Sequence, residues 1–104
     1  MVRGEVWWAN LPQPAGRRPV LLLSRNHAIM VRDSVTVAFA TRTVRHIQTE
    51  VELGREDGMP KSCVINVDVI QTILKSDLVE RITVLSAGKM AAVDDAVRYA
   101  LALD

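Results

Sequence analysis

Apolar and polar positions alternate with a period of two along most of the chain, and the period changes only near its end. Residues 5–11 put Trp7, Ala9 and Leu11 on one face of an extended segment and Val6 and Trp8 on the other. In Ser34–Thr41, Val35, Val37 and Phe39 alternate with Thr36, Ala38 and Ala40. Residues 49–53 alternate strictly, with Glu50 and Glu52 toward water. Residues 18–24 break the pattern. Their core, Val20-Leu21-Leu22-Leu23, is an unbroken apolar run bounded by polar residues, which predicts a strand buried on both faces. A long strand over 63–70 has Cys63, Ile65, Val67 and Val69 on one face, and 81–85 reads as a short final strand. Two prolines and a glycine make residues 11–16 a loop, and Asp57-Gly58 with Pro60 makes 54–61 a turn.

Beyond Leu85 the spacing becomes helical. Ser86 is a helix cap, and Met90, Val93, Val97, Ala100 and Leu101 recur on one face of a terminal helix that packs onto the core. Short strands at regular spacing followed by one helix predict a mainly β chain, a small antiparallel barrel. With neither repeat nor linker, residues 1–104 read as one domain. A chain of 104 residues buries roughly two-thirds of its unfolded surface and needs no metal or disulfide to fold. The one cysteine, Cys63, has no partner for a disulfide or a thiolate metal site and reads as a small buried hydrophobe. No cofactor or metal is expected. The first ten residues carry Arg3 and Glu5, and the Val20 run is too short for a signal core or a membrane span, so a cytoplasmic protein without a membrane partner is expected.

The net charge of +1 hides an asymmetry. Residues 1–50 hold seven basic residues, all arginine, against three acids; residues 51–104 hold six basic residues against nine acids. A basic half and an acidic half point to an anionic partner for one face. The sharpest local feature is Arg17-Arg18-Pro19 at the head of the buried strand. A residue before proline is held extended, so Arg18 reads as a fixed cation, and a planar guanidinium can grip two phosphate or carboxylate oxygens at once.

Arg3-Gly4-Glu5-Val6-Trp7-Trp8-Ala9-Asn10-Leu11, followed by Gly16 to Ser24, resembles the opening of the MazF/PemK toxins of bacterial toxin–antitoxin systems. The likeness continues through Val37-Ala38-Phe39-Ala40-Thr41, Met59-Pro60-Lys61-Ser62-Cys63-Val64-Ile65-Asn66 and Asp68 to Thr72, and closes at Leu85-Ser86. The resemblance implies an SH3-like barrel that forms homodimers, with a nucleic-acid groove over the dimer interface. It also implies metal-independent cleavage of single-stranded RNA at short sequences, leaving 2′,3′-cyclic phosphate and 5′-hydroxyl ends. The family's catalytic arginine and threonine fall on Arg18 and Thr41. The implied partners are single-stranded RNA and a MazE-like antitoxin whose acidic, hydrophobic segment fills the groove, with DNA met only through the antitoxin.

Chemistry fits these residues. The RNA's own 2′-hydroxyl attacks, charge builds on phosphate oxygens, and a fixed guanidinium stabilises that charge in the transition state. Thr41 adds a hydroxyl that donates and accepts. Arginine is effectively always protonated, and the loop before Arg18, Gln13-Pro14-Ala15-Gly16-Arg17, lacks the carboxylate that some relatives carry, so the proton acceptor is unassigned. Histidine is the usual proton acceptor in such chemistry, which makes His27 and His46 the rivals, yet each stands alone in a loop. Arg42, Thr43, Arg45 and His46 follow Thr41 and, with Arg17, are the candidate RNA contacts; a solvated loop is the competing reading. Of Trp7 and Trp8 only one can face the core. The other is covered by a dimer interface or the barrel end, or offers a base-stacking face. Asn66, Asp68 and Thr72 read as hydrogen-bonding residues that fix the barrel, and Val69 and Gln71 stand where many relatives carry Gln and Arg. Two other functions stay open: a non-catalytic toxin on the same barrel, such as a CcdB-like gyrase poison, and a degenerate member that binds RNA or antitoxin without cutting.

Overall fold

The computed structural model of the chain describes residues 1–103. Its elements are β1 (Glu5–Asn10), β2 (Arg17–Leu22), α1 (Asn26–Val31), β3 (Ser34–Thr41), β4 (Glu50–Leu53), β5 (Cys63–Leu74), β6 (Leu78–Val84) and α2 (Ala87–Ala100). The six strands form one antiparallel sheet in the order β4-β5-β3-β2-β1-β6, curled into a half-barrel. A 3-10 turn, Arg55–Asp57, spans between its free edges, where the Asp57 carbonyl accepts from the β6 hydroxyl Thr83 Oγ1 at 2.9 Å, and a second, Lys75–Asp77, links β5 to β6. Among the described residues no helix is long and apolar enough to cross a membrane.

The middle of the sheet is covered on both sides. On one face Val6, Leu21, Ala38, Ala40, Ile65 and Val67 pack beneath Val93 and Ala96 of α2. On the other, Ala9, Val20, Leu22, Val35, Val37 and Phe39 pack with Ile29 of α1, Ile73 and Leu78. Val20, Leu21 and Leu22 are all fully buried, as the unbroken apolar run predicts. The two-residue period of β3 divides its side chains between these cores as read from the sequence. Burying a Val or Leu side chain stabilises by about 1.5–3 kcal/mol, so this sorting, repeated along β2 and β3, fixes the register.

Strand β5 departs from the predicted alternation. Its pairing with β3 jumps from Ala38–Ile70 to Phe39–Asn66, so residues 67–69 bulge out of the ladder. An odd number of extra residues flips the faces: Cys63, Ile65 and Val67 belong to the core under α2, whereas Ile73 belongs to the opposite one. Val69 therefore does not share their face; it is exposed. The bulge is pinned by the polar residues singled out in the sequence. Asp68 N donates to Asn66 Oδ1 at 2.9 Å, and Thr49 Oγ1 donates to Asp68 Oδ2 at 2.7 Å. Thr72 and Thr36 hydroxyls pair across the strands at 3.0 Å.

Other boundaries also differ. Strand β6 begins at Leu78 rather than 81, since its exposed residues mask the pattern. Helix α1 was not predicted; six residues with only Ala28 and Ile29 buried are too few to show a period, and His27 lies on this helix rather than in a loop. In α2 the cap is as expected, Ser86 Oγ accepting from Lys89 N, while the buried stripe takes Ala96 and leaves Leu101 exposed.

Glu5, at the start of β1, is a buried carboxylate. It accepts hydrogen bonds from Val2 N at 3.1 Å, Trp7 Nε1 at 3.0 Å and Arg81 Nη1 of β6 at 3.3 Å. Burial alone would raise its pKa, but the Trp7, Val2 and Arg81 hydrogen bonds, with the N-terminal ammonium, outweigh burial and hold it below the ordinary carboxylate value. A depressed native pKa gives stability that is present above the unfolded value, about 4.3, and is lost as pH falls through the native one. Glu5→Gln is therefore expected to lower stability at pH 7 by about 1–3 kcal/mol. Its denaturation curves should converge with wild type as the pH drops below about 4; a deficit unchanged between pH 7 and pH 3 would refute the assignment.

Candidate active site

The candidate residues gather where β1 ends, β2 begins and β3 ends. Loop 11–16 folds tightly between β1 and β2: Leu11 N donates to Gly16 O at 3.0 Å, and Gly16 takes the left-handed conformation (φ +64°) that suits glycine. This turn aims the Ala15 carbonyl at Arg18, whose Nε donates to it at 3.2 Å. The Arg18 guanidinium carbon lies 5.1 Å from the centre of the Phe39 ring. A cation held against a ring face gains about 0.5–2 kcal/mol. One N–H and one face of the group are thus engaged, and its terminal nitrogens are left for a ligand. Arg18 is a fixed cation, as the Arg-Pro sequence predicts.

Thr41 is two residues beyond Phe39 and so points to the same face of β3. Its Oγ1 accepts from Thr43 N at 3.2 Å, which leaves the hydroxyl proton free to donate outward. Arg17, Arg18, Thr41 and Arg42 together line a cleft of about 560 Å³, closed by Trp8, Pro19 and Ala40 and by residues 59–63. Lys61 adds a fourth cation, and among the described residues no carboxylate lines the cleft. None of these four cations is ion-paired among the described residues. Arg18 also borders a second cleft of about 770 Å³, with Leu11, Pro12, Phe39, residues 71–74 and Asp77. It stands between the two.

Thr43, Arg45 and His46 are exposed on the loop after Thr41 and stand outside the cleft lining. Their loop is shaped by a residue read from the sequence as solvent-facing. Glu50 is only partly exposed: Oε1 accepts from Arg45 N at 2.8 Å and His46 N at 3.1 Å, and Oε2 is buried without a partner. His46 is in the left-handed region (φ 53°), a strained state for a non-glycine residue that the double acceptor holds in place. Glu50 pairs with Asn66, which pairs with Phe39, so the clamp lies on the sheet face that carries Arg18.

Sequence reasoning missed the roles of Phe39, Glu50 and Trp8. The alternation puts Phe39 in the core without revealing that Arg18 rests on it. Nothing in a four-residue strand marks one glutamate as a loop clamp. The placement of Trp8 opposite Trp7 was legible, and the structure puts it in the cleft, partly exposed, with the Arg17 guanidinium carbon 4.8 Å from its ring centre. Cys63 closes the back of the cleft; it is buried, and burial, then the Asp57 charge, pushes its thiol pKa up. Among the described residues no group of three His, Cys, Asp or Glu side chains is placed to hold a metal ion.

A six-stranded antiparallel half-barrel with a C-terminal helix is the fold of the MazF toxin structures. Residues 2–101 match the model of the PemK-like, MazF-like toxins of type II toxin–antitoxin systems, and the chain belongs to that family. It is 36% identical over 100 residues to the probable endoribonuclease MazF5 of Mycobacterium tuberculosis, covering 95% of this chain and 91% of the relative. It is 40% identical over 91 residues to the probable endoribonuclease MazF2 of the same species, covering 86% and 87%. The structure superposes on the Mycobacterium tuberculosis toxin MazF-mt6 with a TM-score of 0.88 at 35% identity, over 96% of this chain and 98% of that one. A mycobacterial endoribonuclease in complex with its cognate antitoxin superposes with a TM-score of 0.91 at 28% identity, over 100% and 97%.

The Glu50 clamp has a direct check. Removing an ionised acceptor of two amides costs about 1.5–3 kcal/mol locally, so Glu50→Ala is expected to speed amide hydrogen exchange at Arg45 and His46 by roughly tenfold or more. Glu50→Gln, which keeps an acceptor, is expected to change it less. Equal exchange in all three proteins would show that the loop holds its shape without the carboxylate.

Proposed function

We propose that the protein, an endoribonuclease toxin by family, cleaves single-stranded RNA at short sequences without a metal ion, using Arg18 and Thr41. The observation that supports this best is Arg18 itself, anchored by Ala15 and Phe39 with its terminal nitrogens unpaired, in a cleft lined among the described residues by four cations and no acid. In this reading a scissile phosphate sits between Arg18 and Thr41. The adjacent 2′-hydroxyl attacks phosphorus as the bond to the 5′ oxygen breaks, giving a 2′,3′-cyclic phosphate and a 5′-hydroxyl. Arg18 stabilises the growing charge on the non-bridging oxygens, and being positioned beforehand it does so without reorganisation. The Thr41 hydroxyl, its lone pair engaged by Thr43, donates to the same oxygens. Arg17, Arg42 and Lys61 hold the flanking chain, while Thr43, Arg45 and His46 meet it on the outer loop beyond the cleft. Asp77, bordering the second cleft with Arg18, is a carboxylate on that side of the site, opposite the loop where some relatives carry theirs.

The same cleft accepts an antitoxin. An acidic, hydrophobic segment lying there displaces RNA and neutralises the cations together, and the mycobacterial relative bound to its cognate antitoxin supports this partner. A homodimer is supported by apolar side chains left exposed, including Met30, Val31, Leu74 and Val84. Such a protein acts in the cytoplasm, where its RNA is.

The test is incubation of wild type and Arg18→Ala with a long unstructured RNA in EDTA, mapping the ends produced. Wild type is expected to cut at a short recurrent sequence and leave 5′-hydroxyl ends, and Arg18→Ala to be slower by a hundredfold or more, about 3 kcal/mol of transition-state stabilisation. Cutting that depends on added divalent metal, or that survives in Arg18→Ala, would overturn the mechanism. Binding without cutting would make the protein a degenerate, non-catalytic member.

A further inference from the structure

Adjacent strand residues face opposite ways, so the two arginines at the head of β2 part company. Arg18 turns to the side of Phe39. Arg17 pairs in register with Asn10 and lies on the side of Trp8, which pairs with Pro19. There the Arg17 guanidinium carbon lies over the Trp8 ring, 4.8 Å from its centre, and its Nη1 reaches Asn10 Oδ1 at 3.5 Å. No carboxylate competes for it among the described residues. An arginine used only to neutralise phosphate has no need of a ring beneath it. A guanidinium backed by an indole has a second planar face to offer a ligand, and Arg17 is exposed. Across the cleft Pro60 supplies an apolar edge, and Lys61 and Ser62 supply hydrogen-bonding groups.

We propose that Trp8 and Arg17 form a stacking seat for one unpaired nucleobase next to the scissile phosphate, with Arg17 sandwiched between the indole and the base. Unpaired RNA bases stack on aromatic rings and on guanidinium planes alike. Although they leave opposite faces of β2, both arginines line the same cleft with Trp8, so a nucleotide whose phosphate is on Arg18 has a base within reach of Arg17. The base edge then faces Lys61 and Ser62, which makes this seat a source of sequence preference, whereas the phosphate contacts carry none. The inference rests on the endoribonuclease reading, and its test is independent of cleavage.

The probe is a set of short 2′-O-methyl RNAs, uncleavable by 2′-hydroxyl attack, each carrying 2-aminopurine at one position of the mapped cutting sequence or, if wild type does not cut, of an arbitrary unstructured sequence. Stacking quenches that base's fluorescence. Wild type is expected to quench it at one position, and Trp8→Phe to preserve the quench. Arg17→Lys keeps the charge and loses the plane. It is expected to abolish the quench and weaken binding roughly fivefold to a hundredfold, with the salt dependence of binding unaltered because the number of phosphate-neutralising charges is the same. Arg17 is exposed, so Arg17→Lys tests the seat without disturbing the fold. No quench at any position, or a quench and affinity that survive in Arg17→Lys, would overturn the seat. Quenching by a protein that never cuts RNA would uphold the seat and defeat the ribonuclease reading; cutting without quenching would do the reverse. Trp8 fluorescence that responds to an acidic, apolar antitoxin segment and not to RNA would assign the cleft to a protein partner and overturn the proposal.

Discussion

The guanidinium of Arg18 is held by two weak contacts of different kinds, and the rest of the site takes its position from them. A ring face beneath and one carbonyl beside it remove most of the rotational freedom of a side chain that otherwise carries about 2 kcal/mol of rotamer entropy. Neither contact is a carboxylate. A salt bridge would have fixed the group as firmly, but it would have spent the charge and the N–H groups an anion needs. A hydrogen bond to Ala15 and a dispersion and quadrupole contact with Phe39 fix the cation and leave its charge uncancelled.

That arrangement depends on the sheet behind it. Because β2 and β3 are sealed on both faces, they cannot slide without exposing fully buried side chains such as Leu21 and Val37, so Arg18 and Thr41 are set on rigid strand ends. The bulge in β5 lets one long strand serve both cores, and hydrogen bonds among Asn66, Asp68 and Thr49 close it around the buried Val67. Glu50 extends the same logic to the loop beyond Thr41. Polar residues around this site mostly hold backbone in place, which leaves the arginines free.

How much of this was legible in the sequence follows from what each feature costs. Alternation in β3 and the apolar run of β2 were read correctly because burying or exposing a whole face is worth many kcal/mol, and sequence carries so strong a signal plainly. Arg18 and Thr41 were found through family likeness, and the fixed geometry of Arg18 through the proline after it. The flip of face in β5 was illegible, since a bulge changes the register without changing composition. Helix α1 is too short to show a period. The Glu50 clamp and the ring beneath Arg18 depend on residues far apart in sequence meeting in space, and no local pattern reports that.

The cysteine at the back of the basic cleft has a consequence for the conditions in which the protein works. Oxidants and electrophiles react with thiolate, and a cation-rich setting commonly favours that form. Cys63 is instead buried at the back of the cleft, with its ionisation made harder. Peroxide or disulfide stress therefore finds little nucleophilic sulfur at this surface. A thiol kept protonated and buried is a poor target for such reagents, so this cysteine fills the back of the cleft as an apolar side chain and adds no reactive centre to it.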